Sequence, residues 1–133
     1  MEEKVVHHIL VVDDDELVSE YLSALLEAEG YTAKIMNDSV MALKYFTENA
    51  AEFDLVITDQ VMPGMMGVEL TESILKIRPD IPVVLITGYS ETISAENAAS
   101  FGVKRFFLKP IHEKSLLLAI KELLLERRPL SVV

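Results

Sequence analysis

Short apolar runs alternate with segments of helical periodicity along the chain, and this alternation limits the fold more than any other feature. Each run has the length of a buried strand, and each is followed by apolar residues at i, i+3 and i+4. Five such pairs predict five βα units, which form a parallel, doubly wound sheet covered by helices. The predicted strands are 9–12, 31–36, 55–58, 83–86 and 105–108, and the predicted helices are 17–26, 40–47, 68–77, 92–100 and 115–126.

The length fits one domain. The chain has 133 residues, of which 50% are hydrophobic, so it can bury a core without covalent staples. Cysteine is absent, which excludes a disulfide framework, a thiolate metal site and a cysteine nucleophile. We therefore expect a single domain over residues 1–133, with a core at about 8–126. Residues 127–133 are then a C-terminal tail or the start of a linker.

The charge excludes one class of partner. The formal net charge is −10, whereas non-specific nucleic-acid binding needs a basic surface, so we expect no direct nucleic-acid contact. No apolar stretch approaches the roughly 18 residues that span a membrane, and no N-terminal targeting signal is visible. We expect a cytoplasmic protein without a membrane segment.

Polar residues stand where four of the predicted strands end. Asp59 closes the apolar run of the third strand, and Asp13 and Asp14 follow the first. Thr87 closes the fourth strand and Lys109 follows the fifth. Because open α/β sheets bind ligands at the carboxyl ends of their strands, these side chains predict one pocket.

The chemistry of that pocket favours phosphoryl transfer. Carboxylates of Asp13, Asp14 and Asp59 that crowd together must share a proton or admit a cation, and hard oxygen ligands suit Mg²⁺. Thr87 offers a hydroxyl donor and Lys109 a fixed positive charge. Taken alone, each aspartate is more simply a solvated loop acid. Thr87 alone is more simply a strand-end hydroxyl that bonds to its own backbone, and Lys109 a solvated surface lysine. Together they suit phosphoryl transfer to a carboxylate.

These motifs resemble those of the receiver domain of bacterial two-component response regulators. The resemblance covers about residues 9–126 and implies a flavodoxin-like doubly wound (βα)5 fold with parallel strands in the order 2-1-3-4-5. The matching motifs, in chain order, are Ile9 to Asp15, Asp54 to Asp59, Met62 to Gly67, Leu85 to Gly88 and Phe106 to Pro110.

The resemblance implies a role for each acid. Asp59 becomes the phosphoacceptor, which attacks the phosphorus of a phosphohistidine on a partner. Asp14 and Asp59 ligate Mg²⁺, or Mn²⁺ in its place, together with the backbone carbonyl of Val61. Asp13 acts largely through water.

It also implies a switch. Thr87 donates to the phosphoryl group and Lys109 pairs with it, and the bond from Lys109 to Pro110 is expected to be cis. Phosphorylation draws Thr87 inward, and Phe106 rotates into the vacated space. The surface formed by the fourth helix, fifth strand and fifth helix then changes.

Some positions depart from the family pattern. Phe106 lacks the hydroxyl of the tyrosine often found there, and Met66 replaces a frequent acid. Val61 and Tyr89 lie where the family varies side chains that set the lifetime of the phosphoryl group. We expect an apolar Val61 and a bulky Tyr89 to lengthen that lifetime.

The resemblance implies a sensor histidine kinase or a histidine phosphotransfer protein as phosphodonor. The output is then a downstream effector or an output domain outside this chain. The fifth helix is apolar over more than one stripe. A homodimer through the fourth helix, fifth strand and fifth helix, or cover by the tail, explains this equally well.

Two other functions fit part of the pattern. A phosphorylation-independent binding module would keep the fold but not need the acids. A haloacid-dehalogenase-like phosphatase shares an Asp-x-Asp at Asp13 and Asp15, but Leu17 and the lack of a late acidic pair oppose it.

Asp15 is more simply the N-cap of the first helix. Adjacent His7 and His8 point to opposite faces of a strand, which disfavours a histidine metal site.

Overall fold

A computed structural model describes residues 5–88 and 93–126. It contains one sheet of five parallel strands in the order β2-β1-β3-β4-β5, which confirms the predicted fold and strand order. The elements are β1 (His8–Val12), α1 (Glu16–Ala28), β2 (Thr32–Met36), α2 (Ser39–Glu48), β3 (Leu55–Asp59), α3 (Gly67–Ile77), β4 (Val83–Thr87), α4 (Ala95–Ser100), β5 (Arg105–Leu108) and α5 (Glu113–Glu126), with a 3-10 turn at Ala50–Glu52.

The sheet separates two apolar layers. Because successive side chains of a strand point to opposite faces, β1 sends Ile9 and Val11 into a cluster with α1 and α5. Leu10 and Val12 enter a second cluster with α2 and α3. β3 and β4 are buried along their whole length, while the edge strand β2 is partly exposed. A third, smaller cluster lies beside α4.

Two helix starts follow from side-chain caps, and a third differs from its prediction. The Asp15 carboxylate accepts hydrogen bonds from the backbone N–H groups of Leu17 and Val18, so its predicted capping role is confirmed. The start of α4 was predicted too early, since Ser94 caps the helix and leaves Ile93 outside it. The helix α5 starts earlier than predicted, at Glu113.

Two further differences are local. β3 extends through Asp59, which pairs with Ile86 of β4, instead of ending at Thr58. The 3-10 turn before β3 was not predicted, and Arg78 stabilises it by donating to the carbonyl of Ala50 at 2.6 Å. Residue Tyr89, the predicted start of the fourth helix at 92 and the tail 127–133 lie outside the described residues.

The strand register brings the predicted site to one edge of the sheet. Val12, which precedes Asp13, pairs with Thr58, which precedes Asp59. On the other side of β3, Thr87 pairs with Leu108, the residue before Lys109. The side chains at these strand ends therefore meet although they are far apart in the chain. Among the described residues, no helix is both long and apolar enough to cross a membrane.

Candidate functional site

Three carboxylates form the centre of the site. One oxygen from each of Asp13, Asp14 and Asp59 lies within 4.8 Å of the others. Asp13 and Asp59 are buried, with 2% and 7% of their surface exposed, while Asp14 is exposed. This set of hard oxygen donors, open to water on one side, fits a small divalent cation such as Mg²⁺. Within the described part of the chain it is the only such group of three or more acidic, histidine or cysteine side chains.

The electrostatics of the cluster point the same way. Burial, followed by the neighbouring charge of Asp13, raises the pKa of Asp59 from 3.8 to about 6. Lys109 and the backbone N–H of Gln60 act in the opposite direction with smaller effect. Burial also raises the pKa of Asp13. The cluster therefore carries negative charge that its surroundings do not fully balance, which is the condition that favours a bound cation.

Lys109 supplies the one positive charge that contacts the buried acids within the described residues. Its Nζ lies 3.5 Å from Oδ1 of Asp59 and 3.4 Å from Oδ2 of Asp13. The backbone N–H of Lys109 donates to the carbonyl of Thr87 at 2.8 Å, and the bond to Pro110 is cis. Lys109 is thus attached to the same strand end that carries the hydroxyl.

The loop after β1 is held by a residue that the sequence did not single out. Nδ2 of Asn37 donates to the carbonyl of Asp13 at 2.8 Å and to Oγ of Ser19 at 3.0 Å. The Asp13 backbone N–H donates to the carbonyl of Met36, and Asp13 Oδ1 accepts from the Asp15 N–H at 2.9 Å. These bonds fix both the backbone and the carboxylate of Asp13.

A second residue missed from the sequence is Gln60, which follows Asp59 directly and is only 2% exposed. Its carbonyl accepts from the backbone N–H of Gly67 at 2.9 Å, and its side-chain Oε1 accepts from that of Val68 at 3.0 Å. A β carbon at Gly67 would lie 2.2 Å from the carbonyl oxygen of Asp59. A polar residue where an apolar strand ends was the signal that could have revealed Gln60.

The predicted switch residues lie on adjacent strands. Thr87 is fully buried at the end of β4. Phe106 is partly buried on β5, where it pairs in register with Leu85 and packs against the small cluster beside α4. Val61 lies in the loop before α3 and is 42% exposed. The structure thus brings the three acids within 4.8 Å of one another and Lys109 against two of them, with Thr87 at the next strand end.

The two histidines lie at the other end of β1. His8 Nδ1 forms a hydrogen bond with Oγ1 of Thr32, and its backbone N–H donates to Asp54 at 2.8 Å. His7 Nδ1 lies 3.7 Å from Oδ2 of the same Asp54. The strand therefore separates this pair from the acid cluster.

An apolar groove borders the site on the α1 side. It has a volume of about 270 Å³ and extends from the exposed face of α1 to the loop before α5. The groove is lined by Leu17, Val18, Tyr21, Lys109, Pro110 and Ile111.

Known proteins resemble this chain in sequence and in fold. Residues 9–121 match the response regulator receiver domain family. The transcriptional regulatory protein ZraR of Klebsiella oxytoca is 37% identical over 120 residues, which are 90% of this chain and 27% of that protein. The sensor kinase CckA of Brucella abortus is 34% identical over 87% of this chain and 12% of its own length. This chain therefore spans a small part of these curated relatives.

A solved structure agrees. The response regulator receiver domain protein of Clostridium thermocellum superposes with a TM-score of 0.86 at 31% identity, covering 91% of this chain and 96% of that one. The chain belongs to the receiver domain family of two-component response regulators.

Proposed function

We propose that Asp59 is the phosphoacceptor of this receiver domain. The observation that carries the proposal is the position of Asp59, which lies among the acid cluster with the Lys109 ammonium 3.5 Å from its Oδ1. With a pKa of about 6, the Asp59 carboxyl is mostly ionised at neutral pH and can act as a nucleophile.

The reaction is a transfer of one phosphoryl group. A carboxylate oxygen of Asp59 attacks the phosphorus of a phosphohistidine, so a new O–P bond forms while the N–P bond breaks. The electron pair of the broken bond stays on the imidazole nitrogen of the donor, which is protonated as it leaves. Lys109 balances the charge of the phosphoryl oxygens, and the hydroxyl of Thr87 donates to one of them.

Asp14 and Asp59, with the backbone carbonyl of Val61, would hold a Mg²⁺ or Mn²⁺ ion, and Asp13 would contact it through water. The bound ion supplies charge neutralisation for the incoming phosphoryl group. The role of the chain is to hold its ligands in place, since the hydrogen bonds to Asp13 and the contacts around Asp59 fix both buried acids before any ligand binds.

Phosphorylation of Asp59 then changes a surface that lies away from the site. Inward movement of Thr87 and rotation of Phe106 into the vacated space would alter the surface of α4, β5 and α5. The packing of Phe106 against the cluster beside α4 supports this route, because a change in its rotamer must also change that cluster.

We further propose that a sensor histidine kinase or a histidine phosphotransfer protein is the donor. The output is an effector or a domain outside this chain, and the location is cytoplasmic. Residues 1–133 act as one signalling domain without catalytic turnover.

A beryllofluoride-activated NtrC4 receiver domain, which is 33% identical with a TM-score of 0.80 over 91% of this chain and 98% of that one, forms a dimer. That likeness supports a homodimer of this chain, and we propose that its interface lies on α4, β5 and α5.

The test is a mass measurement. The protein is incubated with Mg²⁺ and a small-molecule phosphodonor beside an Asp59→Asn variant, and the intact masses are recorded. One added phosphoryl group on the wild type, absent from the variant and absent without Mg²⁺, is expected. A phosphoryl adduct on Asp59→Asn, or repeated hydrolysis of the phosphodonor by Asp59→Asn, would contradict the proposal.

The rival functions gain no support from these findings. The family match does not favour a phosphatase. The acid cluster is intact, whereas a module that binds partners without phosphate has no need of it.

A further inference from the structure

Gln60 connects the phosphoacceptor strand to the helix that follows it. Its backbone carbonyl and its side-chain oxygen accept the N–H groups of Gly67 and Val68, the first two residues of α3. Its own N–H lies against the carboxylate of Asp59. A single buried residue thus contacts both the reactive group and the start of α3.

These two bonds close the loop between β3 and α3. The carbonyl of Gln60 and the N–H of Gly67 join the two ends of the loop at 2.9 Å, and the loop between them contains Val61. The contact of Gly67 with the Asp59 carbonyl brings the helix as near as a residue without a β carbon allows. Movement of α3 would therefore displace both Asp59 and the Val61 backbone.

An apolar side chain would be the simpler choice at a position that is 2% exposed. Gln60 instead places a buried amide here. Its oxygen accepts from the Val68 N–H, which lies in the first turn of α3 and has no partner within the helix. Such outer contacts orient metal ligands, and their loss typically weakens metal binding by about 10- to 100-fold.

We propose that Gln60 is a positioning residue that holds Asp59 and the loop carrying Val61 in the arrangement needed for the divalent ion. The inference rests on the proposed function, because it concerns the ion that this function uses. Gln60 does not touch the phosphoryl group, and it acts through the two ligands on either side of it.

The chain offers a matched control on the same helix. Thr71 is fully buried, and its hydroxyl donates to the carbonyl of Gly67 at 2.8 Å. Thr71→Val removes one buried hydrogen bond from the first turns of α3 without touching the loop. Gln60→Met removes the acceptor while keeping the length of the side chain, and Gln60→Asn keeps an amide that is too short to reach Val68. Gln60→Glu keeps an acceptor oxygen at the original reach.

Binding of Mg²⁺ alone to the full chain is measured by calorimetry, and protection of the Val68 amide by hydrogen exchange. We expect Gln60→Met and Gln60→Asn to lose Val68 protection and to weaken Mg²⁺ binding by about tenfold or more. Gln60→Glu should keep the Val68 protection, and its added carboxylate should not weaken Mg²⁺ binding. Thr71→Val should lower the melting temperature but change Mg²⁺ affinity by less than about twofold.

Phosphorylation by a small-molecule donor separates positioning from stability. In Gln60→Met the Mg²⁺ concentration for half-maximal rate should rise about tenfold, while the rate at saturating Mg²⁺ falls by less than about threefold. Equal Mg²⁺ affinity in Gln60→Met and wild type, or an equal loss in Thr71→Val, would overturn the inference and leave the proposed function intact. A wild type that takes up neither Mg²⁺ nor a phosphoryl group would overturn both.

Discussion

Lys109 Nζ lies 3.5 Å from Oδ1 of Asp59, and this pair joins the ends of two strands that are not neighbours in the sheet. The ammonium lowers the pKa of Asp59, but burial and the charge of Asp13 outweigh it, so the pKa remains raised, at about 6. Lys109 therefore does not fully balance the charge of the acids, and the pKa of Asp59 should change when a charge beside it is added or removed.

The first prediction concerns this pair. In Lys109→Gln, loss of the ammonium should raise the pKa of Asp59 above its wild-type value by about one unit. Carboxyl carbon chemical shifts, followed by NMR in metal-free buffer, report that pKa directly. Lys121→Gln makes the same charge change on the exposed side of α5 and should leave Asp59 unaffected. An unchanged or lowered pKa in Lys109→Gln would show that Lys109 does not act on Asp59.

The second prediction is a pH dependence of stability. The pKa of Asp59 in the folded protein, about 6, lies above its ordinary value of 3.8, so protonation favours the fold. This stabilising contribution is complete below the lower value and is lost as pH rises through the higher one. The side chain of Asp59→Asn cannot ionise. The free energy of unfolding of this variant should exceed that of the wild type by about 1–2 kcal/mol near pH 8, and the two should differ little near pH 4.

Urea unfolding at both pH values, with a chelator present, measures that difference. Asp38→Asn is the control, because it makes the same change at an exposed helix cap, and asparagine caps equally well. A difference for Asp59→Asn that stays constant between the two pH values would contradict the prediction.

The third prediction tests the close approach of α3. A β carbon at Gly67 would lie 2.2 Å from the Asp59 carbonyl oxygen and 2.7 Å from a methyl group of Leu85. Gly67→Ala must therefore shift the helix, and it should lower the free energy of unfolding by about 1–3 kcal/mol. At Gly88 a β carbon would meet only the Lys109 side chain at 3.8 Å, so Gly88→Ala should fold without such a loss. Equal stability of the two variants in urea would refute the steric argument.

The fourth prediction concerns the lifetime of the phosphoryl group. Val61 is 42% exposed in the loop after Asp59, and an apolar side chain there cannot hold a water molecule for hydrolysis. Val61→Asn supplies a donor and acceptor, and it should speed loss of the phosphoryl group by about 2- to 10-fold. Decay of the phosphorylated mass over time gives the rate, and Val61→Leu should decay like the wild type. A slower decay in Val61→Asn would reverse our interpretation.

The fifth prediction concerns the surface of α5. Leu118 and Leu125 lie on one side of this helix and are 59% and 53% exposed. If α4, β5 and α5 form a dimer on activation, Leu118→Lys should weaken that dimer by about tenfold or more. Sedimentation of the beryllofluoride-treated protein with Mg²⁺ measures the dimer. Leu17→Lys changes a leucine on α1 that is even more exposed, at 78%, and should leave the dimer intact. A dimer that persists in Leu118→Lys would place the interface elsewhere.

Much of the fold and site was open to prediction because its signals are local. Apolar runs and helical stripes identify the elements, and the cap at Asp15 follows a rule that acts over three or four residues. The boundary of β3 was less accessible, because Asp59 joins the strand only by pairing with Ile86 on another segment. The role of Asn37 was inaccessible for the same reason, since its partners Asp13 and Ser19 lie on another segment. Gln60 could be noticed as a polar residue at the end of an apolar strand, but its bonds to α3 could not be predicted.

The sequence by itself determined the alternation of strands and helices, the acids at the strand ends and the motifs that identify the family. Only the tertiary structure decided how those acids are charged and held. Burial raises the pKa of Asp59, Lys109 reaches it from a distant strand end, and Gln60 attaches it to α3. The physical reason is that a pKa and a hydrogen bond depend on desolvation and on distances in space, and the folded chain sets both.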